Sequence, residues 1–504
     1  MTTAPAAAAQ SPDSAPRGFS FAYWLLMTIE MFERLAYYTL RPIAGIFIMQ
    51  ATEPGGLKLT AQHKGTIFAW WAIIQVVLPI VTGGFADRYG YKKIMAFAML
   101  LSGAGYATMA TFHSYEGFFI GVLLQASGLS FFKPSIQGAL AHSLSREKSS
   151  LGWGIFYGVV NVGAYFGHLA SPLILGKNHS AQAYQTLFIS CAGFCILCIV
   201  LVLMMRDIPS GGSKTDSPFT VLWKTIVNIF EPRLLAWLAI MSCFWMMMYQ
   251  LWDLGPNFIE DWVDSSHVAS LAPFDTWRET GPDGRLRLPQ QVLLSLNSFL
   301  IIFFVAPISH LVRKMRTLSA MLLGMFGVTF GVLMAGLTQS AWMLLAGIAF
   351  FSLGEMLVGP KKSEYLALIA PPSKKGLYLG YVVIPTGIGQ AVGNWISGHI
   401  YGRFGEKATL SLKYLLEHTP FGEGKSWDGS AKSLELAAGV TRPEAFAKLQ
   451  EVLGVDGLAA TRVLWNQYHP QYWSWLPFAA IGVLAAIALY IFGRMARRWA
   501  DMNA

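Results

Sequence analysis

The sequence contains few charged residues. Asp, Glu, Lys and Arg make up only 13% of its 504 residues, whereas 54% are hydrophobic. Soluble domains carry about 25% charged residues, so this composition excludes an ordinary soluble protein. The formal net charge of +9 could indicate nucleic-acid binding. The basic residues, however, lie in short stretches between long apolar segments, where they are typical of membrane-topology signals. We therefore interpret the chain as an integral membrane protein without a nucleic-acid partner.

Cysteine is also scarce. Three of the four cysteines, Cys191, Cys195 and Cys198, fall in one apolar segment, and Cys243 falls in another. Cysteine as a small apolar side chain is favoured here over a metal site, and nothing indicates a disulfide framework. The ten histidines lack metal-ligand spacing. No nucleophile–base pattern is present either, so we expect no metal, no cofactor and no enzymatic activity.

Long apolar runs, in contrast, recur along the whole chain. About 20 apolar residues are enough to cross a bilayer as a helix, and runs of this length exclude the short alternating strands of a β-barrel. The sequence predicts an all-α membrane protein with twelve transmembrane helices in two six-helix bundles. The predicted spans are residues 19–49, 65–84, 93–112, 116–141, 152–175, 184–205, 234–253, 290–312, 318–337, 341–369, 376–402 and 473–493.

Lysine and arginine are concentrated after the even-numbered spans. Arg88, Lys92 and Lys93 follow span 2, and Arg313 and Lys314 follow span 8. Because basic loops stay on the cytoplasmic side, this pattern predicts that both termini are cytoplasmic. We expect a multi-pass protein of the cell (inner) membrane.

Polar segments divide the predicted spans into larger units. The first residues are rich in Ala, Pro and Ser, as in a disordered tail, and a Gly- and Ser-containing stretch separates spans 6 and 7. A long polar segment precedes span 12, and within it residues 431–439 and 443–453 could form short surface helices. The predicted units are a tail (1–17), an N-terminal bundle (18–206), a cytoplasmic linker (207–232) and a C-terminal bundle (233–504) with an extracytoplasmic segment (403–472).

The first span carries four charged residues, Glu30, Glu33, Arg34 and Arg41. Each charge at the bilayer centre costs roughly 2.5–3.5 kcal/mol on insertion scales. At 100° per residue, Glu30, Arg34, Tyr37 and Arg41 fall within a stripe of about 60°. This stripe is predicted to face protein partners or a water-filled cavity, and is therefore a candidate functional site.

Further charges lie within predicted spans, among them Lys133 in span 4 and Glu355 in span 10. Each is costly alone, and the two could offset each other as an ion pair across the two bundles. Such a pair would close when it is salt-bridged and open when Glu355 is protonated or ligand-bound, as an alternating-access gate requires. A static structural ion pair is the alternative.

Three motifs resemble known family signatures. Residues 83–93 resemble the G-x-x-x-D-R-x-G-x-K/R-K/R loop of the major facilitator superfamily. Residues 30–38 resemble the E-x-x-E-R signature, with its following tyrosine pair, of the proton-dependent oligopeptide transporter (POT/PTR) family. Residues 156–163 resemble the second signature of that family, F-Y-x-x-I-N-x-G, with valine in place of isoleucine.

Isolated positions extend the resemblance to other spans. Lys133 precedes a proline, as in the family, Glu355 stands where the family carries a glutamate, and residues 295–297 resemble the family's S-L/I-N stretch. The resemblance implies a proton-coupled symporter that imports di- and tripeptides by alternating access. It implies peptide and protons as partners, in addition to the lipid bilayer, and we expect a monomer.

The resemblance also implies roles for individual residues. Carboxylates that compete for one guanidinium have coupled titrations, which suits a proton-coupling group. The guanidinium of arginine binds a carboxylate through two hydrogen bonds, and a carboxylate accepts hydrogen bonds from an ammonium group. These groups together suit a zwitterionic peptide. Arg41 and Asn161 would hold the carboxylate end and backbone, with Lys133 nearby, and Glu355 and Asn297 would hold the amino end. The implied sets are Glu30, Glu33 and Arg34 for proton coupling, and Tyr37, Tyr38, Arg41, Lys133, Tyr157, Asn161, Asn297 and Glu355 for substrate binding.

The sequence departs from the family pattern at two places. Tyr249 in span 7 stands where the family usually has a glutamate, which leaves the proton stoichiometry open. Lys362 follows Glu355 by seven residues and so lies on nearly the same helix face. It is an inner-gate candidate together with Lys133 and Glu355, or it favours an anionic solute, or its ammonium extends to the cytoplasmic interface.

These departures keep alternative functions open. The same fold could carry a non-peptide organic anion or an amino-acid-like solute. A non-transporting peptide sensor is a further alternative, although the sequence offers no large cytoplasmic domain to transmit a signal.

Overall fold

The computed structural model describes residues 19–144, 148–206, 230–281 and 284–370, Tyr378, and residues 380–496. The predicted tail (1–17) and almost all of the predicted linker (207–232) lie outside the described residues. The division of the chain into these units therefore stays a prediction.

The described residues form an all-α membrane fold built from long helices. Nine helices in the described part of the chain are long and apolar enough to span a membrane, and α1, α2 and α14 are similarly long but more polar. The count of twelve spans and the position of the termini stay predictions. The long helices are α1 (Phe21–Met49), α2 (Ala61–Tyr89), α3 (Tyr91–Thr111), α4 (Tyr115–Ser143), α5 (Ser149–Leu175), α6 (Ala181–Met204), α7 (Pro232–Met248), α11 (Gln290–Val312), α12 (Thr317–Gly336), α13 (Ala341–Ile369), α14 (Val383–Phe404) and α19 (Pro470–Ala496).

Short elements complete the fold on the side where α1 ends. Two strands form an antiparallel pair in which Glu279 faces Arg287. The short helices are α8 (Gln250–Asp253), α9 (Gly255–Trp262), α10 (Ser266–Ser270), α15 (Lys407–His418), α16 (Ala431–Ala438), α17 (Arg442–Leu453) and α18 (Gly457–Tyr468), with 3₁₀ turns at Asp275–Trp277 and Pro420–Gly422, and the strands are β1 (Glu279–Thr280) and β2 (Leu286–Arg287).

The turn between α2 and α3 lies in the motif at residues 83–93. Gly90 connects the two helices with a φ of 93°, a conformation that glycine adopts without a steric penalty. Lys92 then donates hydrogen bonds to the carbonyls of Leu203 and Met205, at 2.9 and 2.7 Å. Its ammonium therefore satisfies backbone acceptors at the end of α6, where the last helical carbonyls lack intrahelical partners.

The long helices pack in two groups. The first group contains α1 to α6, and the second contains α7, α11 to α14 and α19. The groups meet where α2 packs on α14 and where α5 packs on α11. A Cβ atom on Gly65 of α2 would lie 2.7 Å from the carbonyl oxygen of Asn394 and 3.1 Å from the Cα atom of Gly398. Glycine thus permits the two backbones to approach closely at this crossing.

Candidate functional site

The charges of α1 are gathered with Lys133 of α4 in one cluster. Arg34 donates to both carboxylate oxygens of Glu33, at 2.7 and 2.6 Å, and its Nε lies 3.7 Å from Glu30 Oε1. Lys133 donates to Glu30, and its Nζ lies 3.3 Å from Glu33 Oε2. Two carboxylates therefore share two cations, and all four members come from residues that the sequence singled out.

This charge balance explains how the cluster persists away from water. Glu30 is fully buried and Glu33 is 3% exposed. An isolated buried charge carries an effective penalty of several kcal/mol, which only close pairing and hydrogen bonding can offset. Glu30 Oε2 makes no hydrogen bond among the described residues. A proton or a hydrogen-bond donor could therefore be accepted there without breaking an existing contact.

Tyrosines link the cluster to the second group of helices. The Arg34 guanidinium lies 4.7 Å from the ring centre of Tyr37 and 5.9 Å from that of Tyr38. The Tyr38 side chain is also within electrostatic range of Arg41 and of Glu355 on α13. Side chains from α1 and α13 thus border one region. Its role as a substrate site stays a prediction.

Glu355 is held by polar neighbours on α11 and α13. Asn297 donates to Glu355 Oε2 at 2.8 Å, and the same amide lies 3.0 Å from the Ser352 hydroxyl. The Lys362 ammonium lies 4.2 Å from the ring centre of Trp245 and within electrostatic range of Glu355. Lys362 therefore packs on Trp245 in this conformation, and its role at the gate stays a prediction.

Two predicted residues on α5 complete this region. Tyr157 lies within electrostatic range of both Tyr38 and Glu355, and 38% of its surface is exposed. Asn161 donates to the backbone carbonyl of Tyr157 at 2.9 Å, one turn earlier. Tyr157 therefore faces the region between the two groups. The Asn161 amide nitrogen is engaged within its own helix in this conformation.

The predicted ion pair between Lys133 and Glu355 is absent from this conformation. Lys133 is bound by Glu30 and Glu33, and Glu355 is bound by Asn297. The sequence places the two residues at similar depth, but depth does not fix lateral distance. The nearer carboxylates of α1 bind the lysine in this conformation. A gate in which Lys133 and Glu355 pair only in another state stays a prediction.

Arg41 forms a second buried ion pair, with Asp253 at the end of α8. Asp253 is fully buried, and its other carboxylate oxygen accepts from Asn394 at 2.7 Å and from Gln390 at 3.3 Å. The Arg41 guanidinium also lies 4.1 Å from the ring centre of Phe68. Because Arg41 belongs to the first group of helices and Asp253 to the second, this pair connects the two groups.

Lys64 of α2 extends this connection. Its ammonium donates to the backbone carbonyl of Asp253 and, at 2.8 Å, to Asn257 Oδ1. Asn257 in turn donates to Gly45 O and Gln50 Oε1, both at 3.2 Å. We call Arg41, Lys64, Asp253 and Asn257 the outer network, because the predicted orientation puts it toward the extracytoplasmic side.

Sequence reasoning missed three of the four residues of the outer network. Asp253 follows Tyr249 by four residues, so the two positions lie on one helix face, and this spacing was an available signal. Tyr249 itself lies within electrostatic range of Tyr37, Asp253 and Glu355. A carboxylate is thus present in this region of α7 to α9, one turn beyond the position where the family pattern has a glutamate.

A strap from segment 403–472 also reaches the first group of helices. Arg442 of α17 donates to the carbonyls of Lys58 and Leu59, at 3.2 and 3.1 Å, and to that of Met49 at 3.3 Å. It is 6% exposed and forms an ion pair with Glu406. Segment 403–472 is therefore anchored to the loop between α1 and α2.

Comparisons with known proteins agree with this architecture. The model of the Major Facilitator Superfamily matches residues 26–274 and 286–414. The dipeptide and tripeptide permease A of Erwinia pyrifoliae is 25% identical over 236 residues, which are 45% of this chain and 46% of that permease. The chain thus spans about half the length of the curated relatives that it matches.

Solved structures share the fold over nearly the whole chain. A peptide transporter POT in complex with sulfate has a TM-score of 0.65 at 16% identity, covering 96% of this chain and 97% of that one. The nucleoside transporter NupG has a TM-score of 0.64 at 12% identity, covering 94% of this chain and 99% of that one. At such identities the likeness shows the fold alone.

Proposed function

The chain belongs to the Major Facilitator Superfamily, and we propose that it is a proton-coupled symporter that imports di- and tripeptides by alternating access. One arrangement carries the proposal: the Arg34 guanidinium of the first group of helices lies 5.9 Å from the ring centre of Tyr38, and Asn297 orients the Glu355 carboxylate of the second group at 2.8 Å. Cations on one side and a carboxylate on the other suit a zwitterion whose two charged ends are separated by a short backbone.

The carboxylate end of the peptide binds at Arg41. In the present conformation Arg41 is occupied by Asp253 through one nitrogen, while its Nη1 makes no hydrogen bond among the described residues. A substrate carboxylate therefore binds this free nitrogen or replaces Asp253. Replacement of Asp253 by the substrate carboxylate weakens the connection between the two groups of helices. Substrate binding and opening of the outer side thereby become coupled.

The amino end binds at Glu355. Asn297 fixes one carboxylate oxygen at 2.8 Å and orients the group. Tyr37, Tyr38 and Tyr157 supply amphipathic walls that accept different peptide side chains. Asn161 joins the site by releasing the carbonyl of Tyr157 and turning its amide toward the peptide backbone.

The proton binds within the cluster on α1. Glu30 and Glu33 compete for Arg34 and Lys133, so protonation of one carboxylate leaves a cation without a partner. Lys133, whose side chain is 29% exposed, is the cation that can move. Once Lys133 is released from Glu30, it can approach Glu355. The gate residues Lys133, Glu355 and Lys362 then exchange partners during the cycle in place of forming one fixed pair.

The proton gradient supplies the energy for uphill uptake. Each positive charge that moves inward gains about 2.3 kcal/mol per 100 mV of membrane potential. The outer network and the Arg442 strap hold the two groups together on the side where α1 ends. The conformation described here is accordingly the state in which the outer side is closed. In the transport cycle, the proton is released to the cytoplasm after this state.

A second candidate is an importer of anionic or amino-acid-like solutes. Lys362 adds a cation within electrostatic range of Glu355, and Tyr249 stands where the family pattern has a glutamate. Lys362 competes with a substrate ammonium for Glu355 and attracts an extra carboxylate. Solutes with an acidic group are then preferred over neutral dipeptides.

Proteoliposomes decide between these functions. With an acidic exterior, the purified protein should accumulate labelled dialanine, and an uncoupler should abolish the accumulation. A panel of unlabelled competitors then orders neutral dipeptides, acidic dipeptides and organic anions. Absence of both uptake and competition by dialanine refutes the peptide assignment, while peptide binding without flux identifies a sensor.

A further inference from the structure

A histidine outside the membrane-spanning segments joins the two groups of helices. His179 lies in the loop between α5 and α6. Its Nδ1 is 2.7 Å from Glu53 Oε1, and its Nε2 is 3.1 Å from Glu279 Oε1. Glu53 belongs to the loop between α1 and α2, and Glu279 to strand β1, which lies in the segment between α7 and α11 of the second group. The imidazole therefore bridges one carboxylate from each side of the outer surface.

Other polar groups fix the two carboxylates. The Tyr184 hydroxyl donates to Glu53 Oε1 at 2.8 Å. Arg287 lies with its Nε 3.6 Å from Glu279 Oε2 and forms an ion pair with Glu260. Tyr184, Arg287 and Glu260 are thus the charged and titratable side chains that surround the bridge. Both carboxylates are thus held in position independently of the histidine.

The loop that carries His179 is also tightly held. His179 has a φ of 42°, in the left-handed region that few non-glycine residues adopt. A Cβ atom on Gly55 would lie 2.6 Å from the His179 carbonyl oxygen, so the loop after α1 packs directly against its backbone. The side chain is thereby directed between Glu53 and Glu279, and only 7% of the residue is exposed.

Both ring nitrogens face carboxylate oxygens, which defines the protonation state. A neutral imidazole has one N–H group and would turn a lone pair toward one of the carboxylates, whereas the imidazolium donates to both. Burial of His179 alone would lower its pKa, but the hydrogen bonds to Glu279 and Glu53, together with their charges, raise the pKa to about 10 from an ordinary value of 6.5. The bridged histidine is therefore charged.

We propose that His179 is a proton-linked latch of the outer gate: its protonated ring holds the two groups of helices closed on the extracytoplasmic side, and loss of the proton releases them. The inference rests on the alternating access of the proposed function. It adds a titratable residue to the transport cycle, outside the membrane and separate from Glu30 and Glu33.

The sign of the pH dependence follows from the bridge. Opening separates His179 from Glu279 but not from Glu53, which belongs to the same group of helices. The pKa therefore falls when the Glu279 contact is lost, while the Glu53 contact continues to raise it, and protonation stabilises the closed state. This stabilisation is lost as the pH rises toward about 10. The ratio of open to closed protein should rise with pH by at most tenfold per pH unit, because opening releases at most one proton.

Spin labels on the outer surface measure this ratio. Gln182 on α6 and Ser270 on α10 are exposed residues of the two groups. They are replaced by cysteine and labelled in full-length protein whose four native cysteines are changed to alanine. Distances between the labels are then measured by double electron–electron resonance in lipid nanodiscs from pH 6.5 to 10. We expect the open fraction relative to the closed one to rise with pH over this range, by up to about tenfold per pH unit.

Three variants test the assignment. His179→Gln should raise the open fraction at pH 6.5 and remove most of the pH dependence, and Glu279→Gln should do the same from the other side of the bridge. His113→Gln is the matched control, because His113 lies on the same surface and contacts the Gly55 carbonyl of its own group, at 2.9 Å. It should keep the full slope.

Each outcome decides the inference. An unchanged slope in the His179 or Glu279 variant, or a slope lost equally in the His113 variant, overturns the latch. The distances do not depend on solute flux. A slope that depends on His179 in a protein that moves no peptide therefore supports the latch while the transport proposal fails.

Discussion

Arg41 and Asp253 form an ion pair that is buried between the two groups of helices. Asp253 also accepts hydrogen bonds from Asn394 and, through its backbone carbonyl, from Lys64. One residue thus organises contacts from three other helices. Removal of its carboxylate leaves the buried Arg41 guanidinium without its charged partner.

The first prediction concerns this pair. Arg41→Gln or Asp253→Asn alone should destabilise the protein by about 3–5 kcal/mol, because each leaves an uncompensated buried charge. The double variant should lose less than the sum of the two. Thermal unfolding of the purified protein in one detergent measures all three. Additive losses would show that the two side chains do not interact.

The second prediction concerns proton coupling. Glu33→Gln should abolish accumulation driven by a pH gradient but leave counterflow exchange, because it removes the carboxylate that holds Arg34 at 2.6 and 2.7 Å. Both activities are measured with labelled peptide in the same proteoliposomes. Glu451→Gln is the control, since Glu451 is a 70%-exposed partner of Lys448. Retained accumulation in the Glu33 variant would assign coupling to another group.

The third prediction concerns the carboxylate end of the substrate. Arg41→Ala should weaken dipeptide binding about 10- to 100-fold while expression persists, because a hydrogen bond to a charged group contributes about 1.5–3 kcal/mol. Competition against labelled peptide measures the affinity. A dipeptide amide, which lacks the carboxylate, should bind the variant and the original protein about equally. Equal affinity of the free dipeptide for both proteins would remove Arg41 from the substrate site.

The fourth prediction concerns selectivity. Lys362→Gln should improve competition by dialanine relative to alanylglutamate by about tenfold, because one cation no longer competes for Glu355 or attracts the added carboxylate. Lys361→Gln is the matched control, since Lys361 bonds to Glu364 at 3.0 Å on a different helix face. An unchanged ratio in the Lys362 variant would show that this lysine does not act on the substrate.

The fifth prediction concerns segment 403–472. Arg442→Ala should lower the melting temperature and expose the loop between α1 and α2 to protease, because three backbone carbonyls and Glu406 lose their buried partner. Lys448→Ala on the same helix is the control, as its side chain lies at the surface. If both variants are cleaved at the same rate, the strap does not hold the loop.

Apolar length predicted the long helices well. The eighth and tenth predicted spans coincide with Gln290–Val312 and Ala341–Ile369. Pro289 and Arg313 bound the first of these runs, whereas Ala341–Ile369 continues through Pro360. The helices Ala431–Ala438 and Arg442–Leu453 also lie where short surface helices were expected. Lys407–His418 and Gly457–Tyr468 were missed, since amphipathic helices in a polar segment lack a long apolar run.

Partnerships between distant residues were harder to predict. The predicted start of the helix that begins at Ala61 was four residues too late. Lys64 looked too polar for the span, because the sequence does not reveal that its ammonium is hydrogen-bonded by Asp253 and Asn257. Spacing gave the common face of Glu30, Arg34 and Arg41, but the choice of Lys133 for Glu30 depends on how α4 packs against α1. Lateral packing of helices is a tertiary property that periodicity along one chain does not contain.

The glycine crossing of α2 and α14 limits how the protein can move. With Gly65 in backbone contact with Asn394 and close to Gly398, the two helices can rotate about this point but cannot come nearer. A methyl group added at residue 65 would lie 2.7 Å from the Asn394 carbonyl oxygen, so Gly65→Ala should act as a wedge that forces the two groups of helices apart at this crossing.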